Sequence, residues 1–404
     1  MNKSVISWAL YDMANTVFNL GVVGLFIPLL INRRQGTTDA DLGFPIAISM
    51  AVVLILSPFL GALSDQLKSR IKTLTFLNVI AAVSIFLIGF GKSVPVSLLF
   101  FSVSFVAVYL AEVVYNSLLA DASTRENRGK IGGIAIGLGN LGSIPVIFLA
   151  LQYGNFSSVD GLEFYALGIF FIITAFPISL FFMEKRKILK DKGYPVIQST
   201  WFQLKQTRSH FKQHPKILRF FLARYFYMIG VTTSSTFAVL YGIKTIGFTE
   251  RQIELVLLAG IIVAIPSAVL WGYIVDRIGP LVALRWNILG WTLVLAGAVA
   301  IPWLNLTNQL WWPLSGITGL FFGGLWVSDR PLLIELSPSK LGEMFGIYGI
   351  VSRLAFLTGT SMWPLIAVFM GLGQPAAVFF LVCCCILGFG LILTFSSSTT
   401  CNDS

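Results

Sequence analysis

Apolar residues run along this chain in blocks about twenty long, not in the narrow stripes of a surface helix. The uninterrupted blocks are Ile6 to Ile31, Phe44 to Ser64, Thr73 to Phe90, Pro95 to Leu119, Ile131 to Leu151 and Phe164 to Met183. After one polar stretch the pattern resumes at Leu218 to Tyr241, Ile253 to Val275, Val282 to Pro302, Leu310 to Ile334, Phe345 to Met370 and Ala376 to Phe395. A helix needs about 20 apolar residues to cross the hydrocarbon core, so the pattern predicts twelve transmembrane helices, six and six. The first block exceeds the length of a signal-peptide core, carries Asp12 and is followed by further blocks, so we expect it to be a retained anchor.

Composition supports this reading. With 56% hydrophobic residues, 11% charged ones and a mean hydropathy of +0.83, the chain is too apolar to hide its surface in one soluble core. The polar stretch from Glu184 to Lys216 is rich in Lys and contains Pro195 and Pro215. We therefore expect an all-α polytopic membrane protein: an amino-terminal six-helix bundle over residues 1–183, a cytoplasmic linker over 184–216, a carboxy-terminal six-helix bundle over 217–395 and a tail over 396–404. Trp201, Phe202, Leu204 and Phe211 alternate in the linker with Lys205, Arg208 and Lys212, a composition suited to a short helix on an anionic leaflet.

The net charge of +10 has a topological explanation. With the amino terminus inside, twenty of the 28 basic residues fall in inner segments, and Arg33, Arg34, Lys92, Lys244 and Arg251 fall outside. Basic residues in short loops are held on the cytoplasmic side during insertion, so both termini are expected there. No nucleic-acid partner is expected, because the charge follows the loops and forms no single face.

The two halves repeat. Gly61-Ala-Leu-Ser-Asp65 follows span 2, with Lys68, Arg70 and Lys72 beyond it, and Gly272-Tyr-Ile-Val-Asp276-Arg277-Ile-Gly279 follows span 8. Ser117-Leu-Leu-Ala-Asp121-Ala-Ser123 after span 4 is echoed by Pro331-Leu-Leu-Ile-Glu335-Leu-Ser337 after span 10. Spans 5 and 11 both open on glycines, Gly129, Gly132 and Gly133 against Gly342 and Gly346. A parallel duplication of six spans is the construction of one large class of transporters.

Gly-x-x-x-Asp-Arg-x-Gly at a cytoplasmic hairpin resembles the signature of the major facilitator superfamily. The copy from Gly272 to Gly279 matches it fully; the first departs, with Gln66 and Lys68 at the basic and second glycine positions. Glycine permits close helix approach, and the acid can pair with a nearby arginine or a helix amino terminus. The resemblance implies a gating clamp in Gly61, Asp65, Arg70, Gly272, Asp276, Arg277 and Gly279. The amino-terminal run Ser7-Trp8-Ala9-Leu10-Tyr11-Asp12-Met13-Ala14-Asn15-Thr16 resembles that of the vacuole-effluxer-like family within the superfamily. Tyr115-Asn116 through Asp121 with Arg128-Gly129, and Gly323-Gly324-Leu-Trp326 through Arg330 with Phe345-Gly346, are similar to its span 4 and span 10 to 11 regions. Where that family carries an acid in span 7, this chain has Tyr227-Met228-Ile229-Gly230. The resemblance implies a permease for small solutes, amino acids among them.

Asp12, Glu112, Asp329, Arg224, Arg330 and Arg353 fall inside the apolar blocks. Each costs about 2.5–3.5 kcal/mol at mid-bilayer, so such residues mark function or mutual pairing. The six lie at one level, so either a structural network on the inner side or a transport role is open. Arg330 is a candidate partner for the surroundings of Asp329. Asp12, Asn15 and Asn19 share one helical face, as do Tyr109, Glu112 and Asn116, and such polar stripes should line a wet cavity. Proton coupling needs a carboxyl group that gains and loses a proton as its surroundings change. Glu112 is the first candidate and Asp12 the second. The planar guanidinium groups of Arg224, Arg330 and Arg353 suit an anionic or zwitterionic substrate.

Other chemistry is absent from the pattern. Gly91-Lys92-Ser93 lacks the first glycine of a phosphate loop, Phe86 standing in its place. Cys383, Cys384 and Cys385 are consecutive in span 12 and point apart, and Cys401 lies in the tail. His210 and His214 have no Cys or carboxylate beside them and precede Pro215. No enzyme, cofactor or resident metal is therefore expected. The hydroxyl run Thr232 to Thr236 is expected to serve backbone groups, and Gly139, Gly142 and Pro145 a packing seam. We expect a monomer in a bacterial inner membrane, in contact with lipid, a small-molecule substrate and, as coupling ion, protons.

Overall fold

The computed structural model describes residues 3–34, 36–66, 69–91, 93–118, 121, 138–156, 161–184, 215–337 and 341–395. The helices are α1 (Lys3–Arg33), α2 (Ala40–Gln66), α3 (Arg70–Gly89), α4 (Val94–Ser117), α5 (Ser143–Phe156) and α6 (Leu162–Phe181). They continue as α7 (Pro215–Lys244), α8 (Glu250–Ile278), α9 (Pro280–Trp303), α10 (Trp311–Leu336), α11 (Leu341–Pro364, extended by Leu365–Phe369) and α12 (Gly373–Leu393). Eleven helices among the described residues are long and apolar enough to cross a membrane, and Leu138–Gln152 is a shorter apolar helix. Each meets a span expected from the sequence. The linker with its two histidines, the glycines Gly129, Gly133 and Gly137, and Cys401 lie outside the described residues.

The helices sort into two compact units. One comprises Met1–Thr37 with Ile48–Leu204, the other Thr38–Ala47 with Lys205–Ser404. Inside the first, α3 packs on α4 and α6, and α1 packs on α5 and α6. Inside the second, α9 packs on α10 and α12, and α7 packs on α11 and α12. These are the same pairings with six added to each helix number, which is the repeat seen in the sequence expressed as packing.

Large apolar side chains stand exposed along the spans, among them Ile55, Phe76, Leu99, Phe148, Ile173, Val269, Leu293 and Leu387. In water such a surface would aggregate; against lipid it costs nothing, and this is an integral membrane protein. The interiors are aromatic and aliphatic, with Phe18, Phe101 and Phe105 in the first unit and Phe237 stacked on Trp363 at 4.6 Å in the second.

Two segments widen into π-helix, Val17–Phe26 inside α1 and Leu365–Phe369 at the end of α11. Each adjoins a proline, Pro28 and Pro364, whose missing N–H and bulky ring disturb the α-helical ladder. Ile27 N accordingly donates to Val22 O and Met370 N to Leu365 O, both across five residues.

Candidate functional site

In the first unit the amino-terminal signature divides into an anchor and an edge. Trp8 and Tyr11 are buried and stack on Tyr115 of α4 at 4.8 and 4.6 Å. Trp8 Nε1 donates to Tyr115 O at 3.2 Å, and the Tyr11 hydroxyl donates to Asn78 Oδ1 of α3 at 2.8 Å. These contacts join α1 to α3 and α4, so the Trp and Tyr of the run are structural. Asp12, next in sequence, is half-buried. It lies against Gly139, where a Cβ would come within 2.8 Å of the carboxylate, and a Cβ on Gly142 would come within 2.6 Å of Met13 O. Glycine is what brings the span 5 backbone onto the acid, as the packing seam predicts.

Further along α1, inside the π-helical stretch, Asn19 is exposed at mid-span. Its Oδ1 accepts from the Tyr109 hydroxyl of α4 at 2.9 Å, and its Nδ2 donates to Asn15 O at 2.9 Å. Tyr109 stacks on Phe105 with ring centroids 4.4 Å apart. Glu112 is half-buried on the same stripe of α4, and Asn116 is exposed one turn on. The Asn19–Tyr109 bond links the two stripes, on which Asn19 and Asn116 are exposed and Asp12, Asn15, Tyr109 and Glu112 half-buried. The widened turn of α1 was not legible in the residue pattern; Pro28 is the signal that marks it.

The second unit holds a different arrangement. Arg224 of α7 and Asp329 of α10 form an ion pair with both side chains fully buried. Arg224 Nη2 donates to Ser352 Oγ at 2.9 Å and Nη1 to the Tyr227 hydroxyl at 3.3 Å. The hydroxyls of Tyr348 and Tyr227 donate to Asp329 at 2.8 and 3.2 Å. The Arg224 guanidinium carbon lies 3.3 Å from the centroid of the Tyr348 ring and 5.8 Å from that of Trp326. Three helices thus supply one closed, charge-balanced cluster. Arg224, not the neighbouring Arg330, holds Asp329; Arg330 and Arg353 are half-buried outside this set. The sequence places Arg224 and Asp329 at one level but cannot show which faces of α7 and α10 meet.

The hydroxyl run of α7 does what was expected at four positions. Thr232, Ser234, Ser235 and Thr236 all donate to backbone carbonyls three or four residues back. Cys384 and Cys385 are buried, and a Cβ on Gly230 would collide with Cys385 Sγ, so these cysteines fill a small-residue gap between α7 and α12.

With this geometry in place, comparison with known proteins decides the family. Residues 13–360 match the profile of the Major Facilitator Superfamily. The chain belongs to that superfamily. It is 26% identical over 423 residues to the uncharacterized MFS-type transporter YxiO of Bacillus subtilis, covering 99% of this chain and 96% of the relative. It is 24% identical over 373 residues to the quinolone resistance protein NorA of Staphylococcus aureus, covering 91% and 89%. Two solved structures share the fold: the nucleoside transporter NupG, with a TM-score of 0.75 at 12% identity over 97% of this chain and all of that one, and a D-xylose-proton symporter, with 0.74 at 14% over 97% of each.

The hairpin motif of this major facilitator protein behaves differently at its two glycines. Gly279 ends α8 with φ of +83°, a backbone that side chains disfavour, and Pro280 starts α9 at once. At Gly272 a Cβ would meet no described atom within 4 Å. Asp276 and Arg277 are exposed. Gly61 and Asp65 sit in the helical end of α2, and their side chains lie outside the described residues; Arg70 Nη1 donates to Ser117 O at 3.4 Å. Next to Arg70 the sequence reading missed a cap. Glu184, taken as the first linker residue, accepts from Ile71 N at 2.6 Å and from Ser69 Oγ at 3.2 Å, so it closes the amino terminus of α3.

Gly279→Ala is expected to lower stability by about 1–3 kcal/mol, because alanine must adopt φ of +83° with ψ of +155°, a region open essentially to glycine alone. A thermal melt of the purified protein checks this: a lowered midpoint is expected, and an unchanged one would mean the hairpin rearranges freely.

Proposed function

We propose that this protein is a proton-coupled secondary transporter of a small anionic or zwitterionic solute, working by alternating access with Glu112 as the coupling carboxyl. The observation that carries the reading is the polar face of α1 and α4, where exposed Asn19 bonds to Tyr109 and half-buried Glu112 and exposed Asn116 follow towards the carboxy-terminal end of α4. Exposed polar side chains inside a lipid-spanning segment are costly against acyl chains and face a water-filled cavity or the bundle interior. The second unit's cluster, by contrast, is balanced and sealed, which suits a structural lock. The two six-helix units, 1–183 and 217–395, act as the rocking bodies, with the motif residues Asp65, Arg70, Asp276 and Arg277 as a gate.

Within the superfamily we place the chain beside the vacuole-effluxer-like family on the strength of its Ser7–Thr16 run, which favours an amino acid as solute. Bacterial relatives and short loops support a bacterial inner membrane, and the lysine and arginine distribution supports cytoplasmic termini. The quinolone resistance named for the Staphylococcus aureus relative supports an outward direction.

The test is proton movement in proteoliposomes loaded with a pH dye and challenged with pools of amino acids, peptides, sugars and organic anions. A solute-dependent signal is expected in the native protein, and Glu112→Gln is expected to reduce it to the protein-free baseline. Solute flux that persists unchanged in Glu112→Gln would make the protein a proton-independent facilitator. No flux from well-folded native protein in any pool would make it a transporter-like receptor.

A further inference from the structure

Arg330 is the intramembrane charge left over once the second unit's cluster is assembled. Arg224 is taken by Asp329, and Arg353 is not without a partner. Arg330 is half-buried near the inner end of α10 and makes no hydrogen bond or ion pair with any described residue. It stands about 9 Å inside the end of its helix at Leu336, by the rise per residue. A cation at that depth is kept for an anion that meets it there.

The internal repeat shows which face Arg330 occupies. Ser117-Leu-Leu-Ala-Asp121 corresponds to Pro331-Leu-Leu-Ile-Glu335, which sets Asn116 against Arg330, Tyr115 against Asp329 and Glu112 against Trp326. The first helix of each unit agrees with this register. Trp8 and Tyr11 of α1 hold Tyr115, and Arg224 and Tyr227 of α7, at the same spacing, hold Asp329. Each unit thus anchors its first helix to its fourth at matched positions, by stacked rings in one and by an ion pair in the other. Beside each anchor runs a stripe that takes no part in it. On α4 the stripe is Tyr109, Glu112 and Asn116; on α10 it is Trp326 and Arg330, one turn apart and both half-buried. The α4 stripe reaches α1 through the Asn19–Tyr109 bond, and the α10 stripe reaches α7 where the Trp326 ring centroid lies 5.8 Å from the Arg224 guanidinium carbon. The chemistry is inverted between them: a carboxylate and an amide in the first unit, an indole and a cation in the second.

We propose that Arg330 and Trp326 form a binding site for a carboxylate solute with an apolar or aromatic body, an assignment that rests on the reading of this protein as a transporter. The planar guanidinium matches both oxygens of a carboxylate. Side chains one turn apart start about 5–6 Å from each other, so a carboxylate seated on Arg330 sets the rest of a molecule of amino-acid size against the indole. The Arg224–Asp329 pair next to the ring carries no net charge, so Arg330 sets the sign of this surface. A sugar would leave that cation unpaired, and a simple amine would be repelled by it.

The test is calorimetric binding to the purified protein in phosphatidylcholine nanodiscs, with 3-phenylpropionate, phenylalanine and leucine each set against its amide. The acids are expected to bind at least about tenfold more tightly than the amides, and Arg330→Gln to remove that preference, since a hydrogen bond to a charged group is worth about tenfold to a hundredfold in affinity. Trp326→Ala is expected to weaken 3-phenylpropionate and phenylalanine more than leucine. Arg330→Lys keeps the charge without the fork and is expected to lose part of the affinity; it decides if Arg330→Gln does not fold, and an unchanged affinity would then overturn the proposal. Equal binding of acids and amides, or a preference for acids that survives in Arg330→Gln, would also overturn it. So would a native protein that binds none of the acids, and a melting point raised by phosphatidylglycerol in the native protein but not in Arg330→Gln would then assign the cation to a lipid headgroup. Binding needs neither a gradient nor turnover. Acids that bind but are not moved would count against the transport reading alone, and proton-coupled flux of sugars with no acid bound would count against this site alone.

Discussion

Asp329→Ala is expected to destabilise the protein by about 3–5 kcal/mol, the usual cost of stranding one member of a buried ion pair. Arg224 would keep Ser352, the Tyr227 hydroxyl and the Tyr348 ring, but these are dipoles and a quadrupole facing a full charge in a site with no exposure. Against a total stability of about 5–15 kcal/mol the loss is severe. Asp329→Asn, which still accepts a hydrogen bond, should fall between the native protein and the alanine variant. The double variant Arg224→Met with Asp329→Leu is expected to regain most of the loss, because a buried pair replaced whole by apolar side chains is often neutral or better. Thermal melting in detergent, with size-exclusion profiles, reads all three. An Asp329→Ala protein that melts like the native one would show that the pair does not hold the fold, and would return Arg224 to the pool of substrate-binding groups.

The different legibility of these features has physical causes. Span positions follow from hydropathy alone, because lipid contact is a demand on composition and not on partners. Gly279 could be read from the motif because a positive φ is a local requirement that glycine meets by itself. Partner choice is another matter. Arg330 adjoins Asp329 in sequence, yet consecutive residues on a helix point about 100° apart, and the acid faces α7, where Arg224 waits. Asp39 was hidden by its neighbour: two acids two residues apart at a helix start both look like caps, and only the fold shows that Asp41 bonds back to Thr38 while Asp39 takes the Trp363 indole. The π-helical turn that carries Asn19 was hidden because a proline four residues past a glycine is as compatible with a kink as with a widened turn.

The glycines of α8 and α10 give the second large effect. A Cβ on Gly319 would run into the carbonyl oxygen of Gly260, and one on Gly323 would lie 2.8 Å from both Ala264 O and Ala268 N. The two backbones touch, and Ser267 Oγ and Trp271 Nε1 donate across the crossing to Gly319 O at 3.1 Å and Leu320 O at 2.9 Å. In lipid, where burial brings helices no gain over contact with acyl chains, such close packing and cross-helix bonding hold a pair together. Overpacking between side chains costs about 1–3 kcal/mol because side chains can turn aside. Backbone cannot, so Gly319→Val must push α8 and α10 apart and lose both bonds, and its cost is expected at or above the top of that range. Gly272→Ala, on the same α8 but with open space around it, is the matched comparison and is expected to keep or slightly raise the melting point, since alanine is worth up to about 1 kcal/mol over glycine inside a helix. Melting the two variants side by side checks the contrast: equal midpoints would mean that the crossing can relax. A Gly272→Ala protein that is stable yet fails to move solute would place the need for that glycine in another conformation of the cycle, where the motif's close approach is made.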